Sequence, residues 1–354
     1  MKKVVLYSLL FITIGLHAQF RNFSNEFLNI GVDAAALGLS KSVVASTNDV
    51  NAAYWNPAGL TNVKDYQGTL MHASYFANIA NFNYAAFALP IDDKSAVAIS
   101  IIRFGVDDIL NTTELIDNQG NINFNNVSLF STVDYAFNVS YGKKVFFEGL
   151  SFGVNAKIIR RIIGDFANSW GFGFDAGFQY KSKNWSYGLM LRDATTTFNT
   201  WAINEEEFQK ISDAIEGQNQ DLPETTELTL PKAQFGIARN FELGESFNLL
   251  SEFDVNMRFF RTNDVIATNF VSIEPTIGFQ LDYEKIAFLR VGAGNVQKVT
   301  QFDESINISV QPNFGVGFKY KGVQIDYALT NIGSVGGALF SNVFSVKFDY
   351  SAYR

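Results

Sequence analysis

Gly171-Phe172-Gly173-Phe174-Asp175-Ala176-Gly177-Phe178-Gln179-Tyr180 alternates without a break. Phe172, Phe174, Ala176, Phe178 and Tyr180 fall on one face, and Gly171, Gly173, Asp175, Gly177 and Gln179 on the other. A period of two is the mark of a strand with two unlike faces. Here one face is aromatic and the other small or polar. That division suits a strand set between lipid and a crowded polar lumen.

Outward from this stretch the same pattern recurs. Trp185, Tyr187, Leu189 and Leu191 oppose Ser186, Gly188 and Arg192. Phe247, Leu249, Phe253, Val255 and Met257 oppose Asn248, Glu252, Asp254, Asn256 and Arg258. Further clear segments run through 271–283, 314–320, 323–330 and 344–350, and weaker ones through 66–75, 84–90, 95–103, 129–141, 150–159, 231–239 and 286–292. The sum is fourteen candidate strands, an even number, as a bacterial barrel with both ends in the periplasm requires. The connections sort in the same way. Short ones at 92–94, 142–149, 181–184, 240–246, 284–285 and 321–322 alternate with longer ones at 76–83, 104–128, 160–170, 193–230, 258–270, 293–311 and 331–343. A soluble sandwich has no reason to sort its loops so; a barrel with short periplasmic turns and long outer loops does. The fold class read from this is all-β, a 14-stranded antiparallel transmembrane barrel.

Composition agrees. The 354 residues hold 35 Phe and 14 Tyr but only 6 Pro, and hydrophobic residues reach 47% with no apolar run long enough for a spanning helix. Tyr141, Tyr180, Trp185, Tyr283 and Tyr320 sit beside turns, where an interfacial aromatic girdle would lie. Lys2-Lys3, the apolar run from Val4 to Leu16 and the small-residue site before Gln19 read as a cleaved export signal over 1–18. The chain has no cysteine, so neither a lipid anchor at that site nor a disulfide framework is expected. Its formal charge is −8, and about −10 once Lys2 and Lys3 are removed. An acidic chain without a basic stripe is a poor match for nucleic acid. The longest loop carries Phe208, Ile211 and Ile215 at helical spacing, which predicts a short loop helix from Glu205 to Ile215.

Few residues offer chemistry. His72 is the sole histidine after the signal, and Ser74 shares its strand face, but no nucleophile-elbow pattern accompanies them. A girdle or lumen position is the simpler reading. Gly171-Phe172-Gly173 and Gly315-Val316-Gly317 open no helix and so are not phosphate loops. Asp117-Asn118-Gln119-Gly120-Asn121 has oxygen ligands but no distal bidentate glutamate. Neither a catalytic set, a metal site nor a cofactor is expected. Glu252, Asp254, Asn256, Arg258, Asn155, Lys157, Asp134 and Asn138 form a lumen set of both signs, which reads as a hydrogen-bonded filling and not as a selective pore.

The segment ahead of the strands ends in Asn51-Ala52-Ala53-Tyr54-Trp55-Asn56-Pro57-Ala58-Gly59-Leu60. Asn56 precedes a proline and is pushed from helix, Gly59 permits unusual backbone angles, and Tyr54-Trp55 supplies an apolar anchor. With Gly31-Val32-Asp33-Ala34-Ala35-Ala36-Leu37-Gly38 and 43–50, this resembles the N-terminal signature of the PorV/PorQ family. These are outer-membrane proteins of the type IX secretion system of Bacteroidetes, related to FadL-like barrels. The resemblance implies an integral outer-membrane barrel over 66–354, with 19–65 folded into its lumen as a hatch. Asn51, Tyr54, Trp55, Asn56, Pro57 and Gly59 would belong to that hatch. It implies partners too: a translocon subunit and the C-terminal domains of secreted cargo. They would be met on the long outer loops, where Phe104, Asn111, Phe124, Trp201, Phe208, Ile211 and Ile215 are candidate contacts. The signature departs from the pattern at Gly31-Val32-Asp33-Ala34 and Leu37-Gly38, which points to a paralogue with different cargo. Non-enzymatic secretion is one expected function. FadL-like transport of long-chain fatty acids or other hydrophobic small molecules is the other, and it requires an apolar pocket between hatch and wall and a strand kink.

Overall fold

The computed structural model describes residues 24–75, 78–116, 119–214, 225–301, 304–330 and 340–350. In its first half lie β1 (Gln67–Tyr75), β2 (Ala80–Asp92), β3 (Ser95–Asn111), β4 (Ser128–Lys144), β5 (Leu150–Ile163), β6 (Ala167–Ser182), β7 (Trp185–Arg192), β8 (Thr197–Ile203) and β9 (Thr226–Thr229). There follow β10 (Lys232–Leu243), β11 (Phe247–Arg258), β12 (Ile266–Ala267), β13 (Ser272–Tyr283), β14 (Ala287–Thr300), β15 (Ile306–Tyr320), β16 (Val323–Thr330) and β17 (Ser341–Asp349). Fourteen of them form one closed antiparallel ring, since β1 pairs with both β2 and β17. The other three sit on the ring: β8 extends the wall along β6, β9 pairs with β8, and β12 pairs with β13. Closure leaves the ring without an edge, the condition for a sheet in a membrane.

The alternation settles which face is which. Phe172, Phe174 and Phe178 of β6 are exposed on the outside, whereas Asp175 and Gln179 are buried inside. The same division puts Phe137, Val139, Phe253, Phe314 and Phe348 outward, and Asn138, Glu252, Asp254, Asn313 and Lys347 inward.

Strand ends differ from the expectation in a consistent way. The expected loop over 160–170 is only the turn between Ile163 and Ala167, and β3 runs on through Phe104 to Asn111. Beyond the lipid band the outward side chains need not be apolar, so Asp107 and Arg160 continue strands that hydropathy alone cuts short. The loop expected over 193–230 likewise contains β8 and β9 as well as a helix, Glu205–Ala214.

Much of the stretch 24–63 packs against the inward face of the ring. The short helix Ala34–Gly38 packs on β14 to β17, and the 3-10 turn Pro57–Asn62 packs on β3 to β6 across the lumen. Phe27, Val32, Leu37, Trp55 and Leu60 join Met71, Tyr75, Phe82, Tyr84 and Ile102 of the wall in one apolar core. Elsewhere the segment meets the wall backbone to side, against a belt of glycines. A Cβ on Gly153 would fall 2.3 Å from the Pro57 carbonyl carbon, on Gly142 2.4 Å from the Pro57 oxygen, on Gly188 2.4 Å from the Val44 oxygen, and on Gly292 2.4 Å from the Leu39 carbonyl carbon. These glycines are register neighbours: Gly142 faces Gly153, which faces Gly177, while Gly188 faces Gly236 and Gly278 faces Gly292. Glycine in a strand weakens it and marks a close backbone approach; here the approach runs round the lumen.

Gly153→Ala should therefore overpack the lumen and cost about 1–3 kcal/mol. It should show as a lower temperature for the heat-induced mobility shift of the folded barrel on a denaturing gel. Gly68→Ala, whose Cβ would meet nothing nearer than 3.8 Å, should leave that temperature unchanged. Equal behaviour of the two variants would mean that the contact is not tight.

Candidate functional site

Most of the residues singled out in the 51–60 stretch have an identifiable task. Asn56 is extended, with φ −164°, as its place before Pro57 dictates. Its Oδ1 accepts from the Ala58 N–H at 3.2 Å, and its Nδ2 donates to the Val44 and Phe178 carbonyls at 3.0 Å each, tying the segment to itself and to β6. Trp55 Nε1 donates to the Val32 carbonyl at 3.1 Å, and the Tyr54 hydroxyl donates to the Leu28 carbonyl. The two rings meet edge to face at 4.8 Å. Pro57 opens the 3-10 turn, where its missing N–H costs nothing. Asn51 is buried at its head, its own N–H donating to Asp49 Oδ1. Gly59 is needed for space and not for a left-handed angle, since a Cβ there would lie 2.3 Å from the Thr47 carbonyl oxygen.

Buried carboxylates of the wall hold the segment by its backbone. Asp254 accepts from the N–H groups of Val43 (3.0 Å) and Val44 (3.2 Å), and Glu252 accepts from Ala45 at 2.7 Å. Gln179 donates to the Val44 and Thr47 carbonyls, and Ser40 accepts from Asn313 at 2.6 Å. At the loop end Ser24 donates to Glu227 at 2.8 Å and Asn25 to Thr229 at 2.8 Å, so the start of the segment is pinned by β9. Many of the lumen charges are neutralised in groups. Lys157 reaches Asp175 (2.7 Å) and Asp193 (2.6 Å), Arg161 reaches Asp134 and Glu227, Arg258 reaches Asp264 and Glu274, Arg290 reaches Asp326, and Lys347 reaches Asp49.

Cavities remain beside the segment, and their walls are mixed, more polar than apolar. One of about 210 Å³ is bounded by Asp33, Asp49, Gln280, Arg290, Gln324 and Lys347. Another of about 300 Å³ joins Asn48, Asn62, Lys319 and Asp349. Burial pushes the Asp33 carboxyl up to about 6, against the pull of Lys347. An apolar cavity of about 460 Å³ lies by contrast on the wall of β1 to β4 and β17, among Leu70, Ala85, Ile101, Phe344 and Val346. His72 faces outward there and shares a hydrogen bond of 2.8 Å with Asn83, while Ser74 donates to Asn81. No carboxylate completes a triad with them among the described contacts.

The seven loop candidates scatter. Phe104 is on β3 and packs against the apolar core; Asn111 ends β3 and caps Thr113. Trp201 is on β8 under the Arg161 guanidinium, 5.1 Å from its ring centre. Phe124 stands 75% exposed in the 3-10 turn Phe124–Asn126, and Phe208 is half-buried in the loop helix. Ile211 lies on the same helix. Ile215, like Asp117, Asn118 and the export signal at 1–18, lies outside the described residues. The loop strand β8 and the pinning of Ser24 escaped sequence reasoning, although Thr197-Phe198-Asn199 already alternates. Lys210, 3.8 Å from Glu114, brings the two long outer loops together.

Comparison places these features in context. Residues 20–231 match the family described as Type IX secretion system protein PorV. A FadL homologue of Pseudomonas aeruginosa is 13% identical with a TM-score of 0.51, over 90% of this chain and 98% of that one. The toluene transporter TbuX of Ralstonia pickettii is 11% identical with a TM-score of 0.54, also over 90% and 98%. At these identities the likeness is one of fold. Comparison with curated proteins finds no match.

Lys157→Met should strand Asp175 and Asp193 as uncompensated buried carboxylates, at a cost of about 3–5 kcal/mol. Urea unfolding of the detergent-solubilised barrel, followed by tryptophan fluorescence, measures it. A loss below about 1 kcal/mol, the range of exposed pairs, would mean that the cluster is wet.

Proposed function

We propose, because the chain belongs to the PorV family of type IX secretion system proteins, that it is an outer-membrane component of that system which binds protein partners and catalyses no reaction. Residues 1–18 are its export signal, 19–65 a hatch and 66–354 the barrel. The observation that carries this reading is the lumen, filled by a segment that buried wall side chains hold on several sides. A barrel so closed works through its surfaces. The outer loops, with exposed Phe124 and the helix bearing Phe208, are the surfaces for the C-terminal signal domains of cargo. The outward polar pairs His72–Asn83 and Ser74–Asn81 suit a neighbouring protein better than lipid, and a translocon subunit is the partner proposed there.

Transport of fatty acids or other hydrophobic small molecules is the second reading. It is favoured by a break in the β3–β4 pairing between Val106 and Ile109, with Asp108 at φ 58°, close to the apolar core. The mainly polar walls of the lumen cavities weigh against it.

Affinity purification of the tagged protein from outer membranes in mild detergent, with mass spectrometry of the eluate, separates the two. Large translocon subunits, or secreted proteins sharing a C-terminal domain, are the expected companions. A lone barrel carrying fatty acid would contradict the secretion reading and promote the transporter.

A further inference from the structure

Three cations stand side by side at the loop end of the lumen. Lys232 of β10 is the register partner of Arg192 on β7 and of Arg258 on β11, and all three side chains point inward. Directly opposed residues on neighbouring strands have Cβ atoms about 5 Å apart, and like charges so placed repel. Lys41 of the N-terminal segment joins them around a cavity of about 60 Å³, walled also by Tyr54, Trp55, Asn29, Gln234 and Glu274.

The acids present do not balance this row. Asp264 and Glu274 are both taken by Arg258, at 2.6 and 2.8 Å. Glu26 is more than half exposed and only approaches Lys232, at 3.8 Å. Arg192 has no carboxylate within ion-pair distance among the described residues. It lies over the rings of Tyr54 (4.4 Å) and Trp55 (5.8 Å), its Nε donates to Gln234 at 2.8 Å, and its Nη2 is buried without a partner. Lys41 donates to the Asn29 carbonyl at 2.8 Å and has no carboxylate within ion-pair distance among the described residues. Burial pushes its ammonium below the usual lysine range. A guanidinium fixed by stacking with its Nη2 donors unused is a ready carboxylate site, because it needs little reordering to bind one.

We propose that this pocket binds a single carboxylate, entering from the loop side and bridging Arg192 and Lys232. The space admits the head of such a ligand and little more. Its identification as a carboxylate carried by an exported polypeptide, terminal in the first instance, rests on the secretion function proposed above.

Calorimetric titration of the mature detergent-solubilised protein tests this with three probes: N-acetyl-tetra-alanine, its C-terminal amide, and dodecanoate. One charged hydrogen bond separates acid from amide, so the free acid should bind about tenfold or more tightly, and less so in high salt. Arg192→Gln and, independently, Lys232→Gln should each remove most of that preference while the heat-induced mobility shift shows a folded barrel. Equal binding of acid and amide, no saturable binding of any probe, or an unchanged preference in both folded variants would overturn the site. Binding of dodecanoate without the peptide acid would keep the carboxylate pocket and overturn the polypeptide carrier. An Arg192→Gln protein that loses the peptide acid yet still co-purifies translocon subunits keeps this inference distinct from the secretion function itself.

Discussion

The N-terminal segment lies directly against bare backbone of the barrel wall. Pro57, Val44 and Leu39 press their carbonyl groups where the side chains of Gly153, Gly188 and Gly292 would begin. A wall with ordinary inward side chains would hold the segment away, leaving an annular gap for water. Removing those side chains from register neighbours on several strands brings the surfaces together, at the cost of strand propensity on each. The ring can bear that loss because closure fixes every strand from both sides. The rest of the architecture follows from this choice. The segment must be small-residue and irregular to lie against such a wall, and Ala52-Ala53, Ala58 and Gly59 meet that need.

Close contact brings backbone N–H and C=O groups out of water, and each then needs a partner. The wall provides them as buried carboxylates and an amide: Asp254 and Glu252 for Val43 to Ala45, and Gln179 for the Val44 carbonyl, to which Asn56 of the segment itself also donates. Charges without a backbone client are grouped with opposite charges, as in Lys157 with Asp175 and Asp193. The row of Arg192, Lys232 and Lys41 at the loop end departs from that rule, and it faces the side from which a partner would come.

Much of this was legible in advance, for a physical reason. Inside the lipid band the outward residue must be apolar, so β7, β11 and β16 could be bounded almost to the residue from alternation alone. Outside the band that constraint lapses. Hydropathy alone places Phe104 and Asn111 in a loop although they continue β3, and it makes the turn at 164–166 too long. The 51–60 stretch reads as an anchor, but its partners on β6 and β7 lie more than a hundred residues away, as in the bond from Asn56 to Phe178. Long-range pairing leaves no local trace. The lumen glycines were read as a sign of tight space; what fills that space had to come from the fold.

The role proposed for the N-terminal segment is to close the lumen. Conductance of the purified protein in a planar lipid bilayer addresses it directly. The full mature chain should pass no steady current, and a chain lacking residues 24–50 should open stable channels of uniform size. Steady conductance of the full chain, equal to that of the deletion, would show that the segment does not seal the barrel.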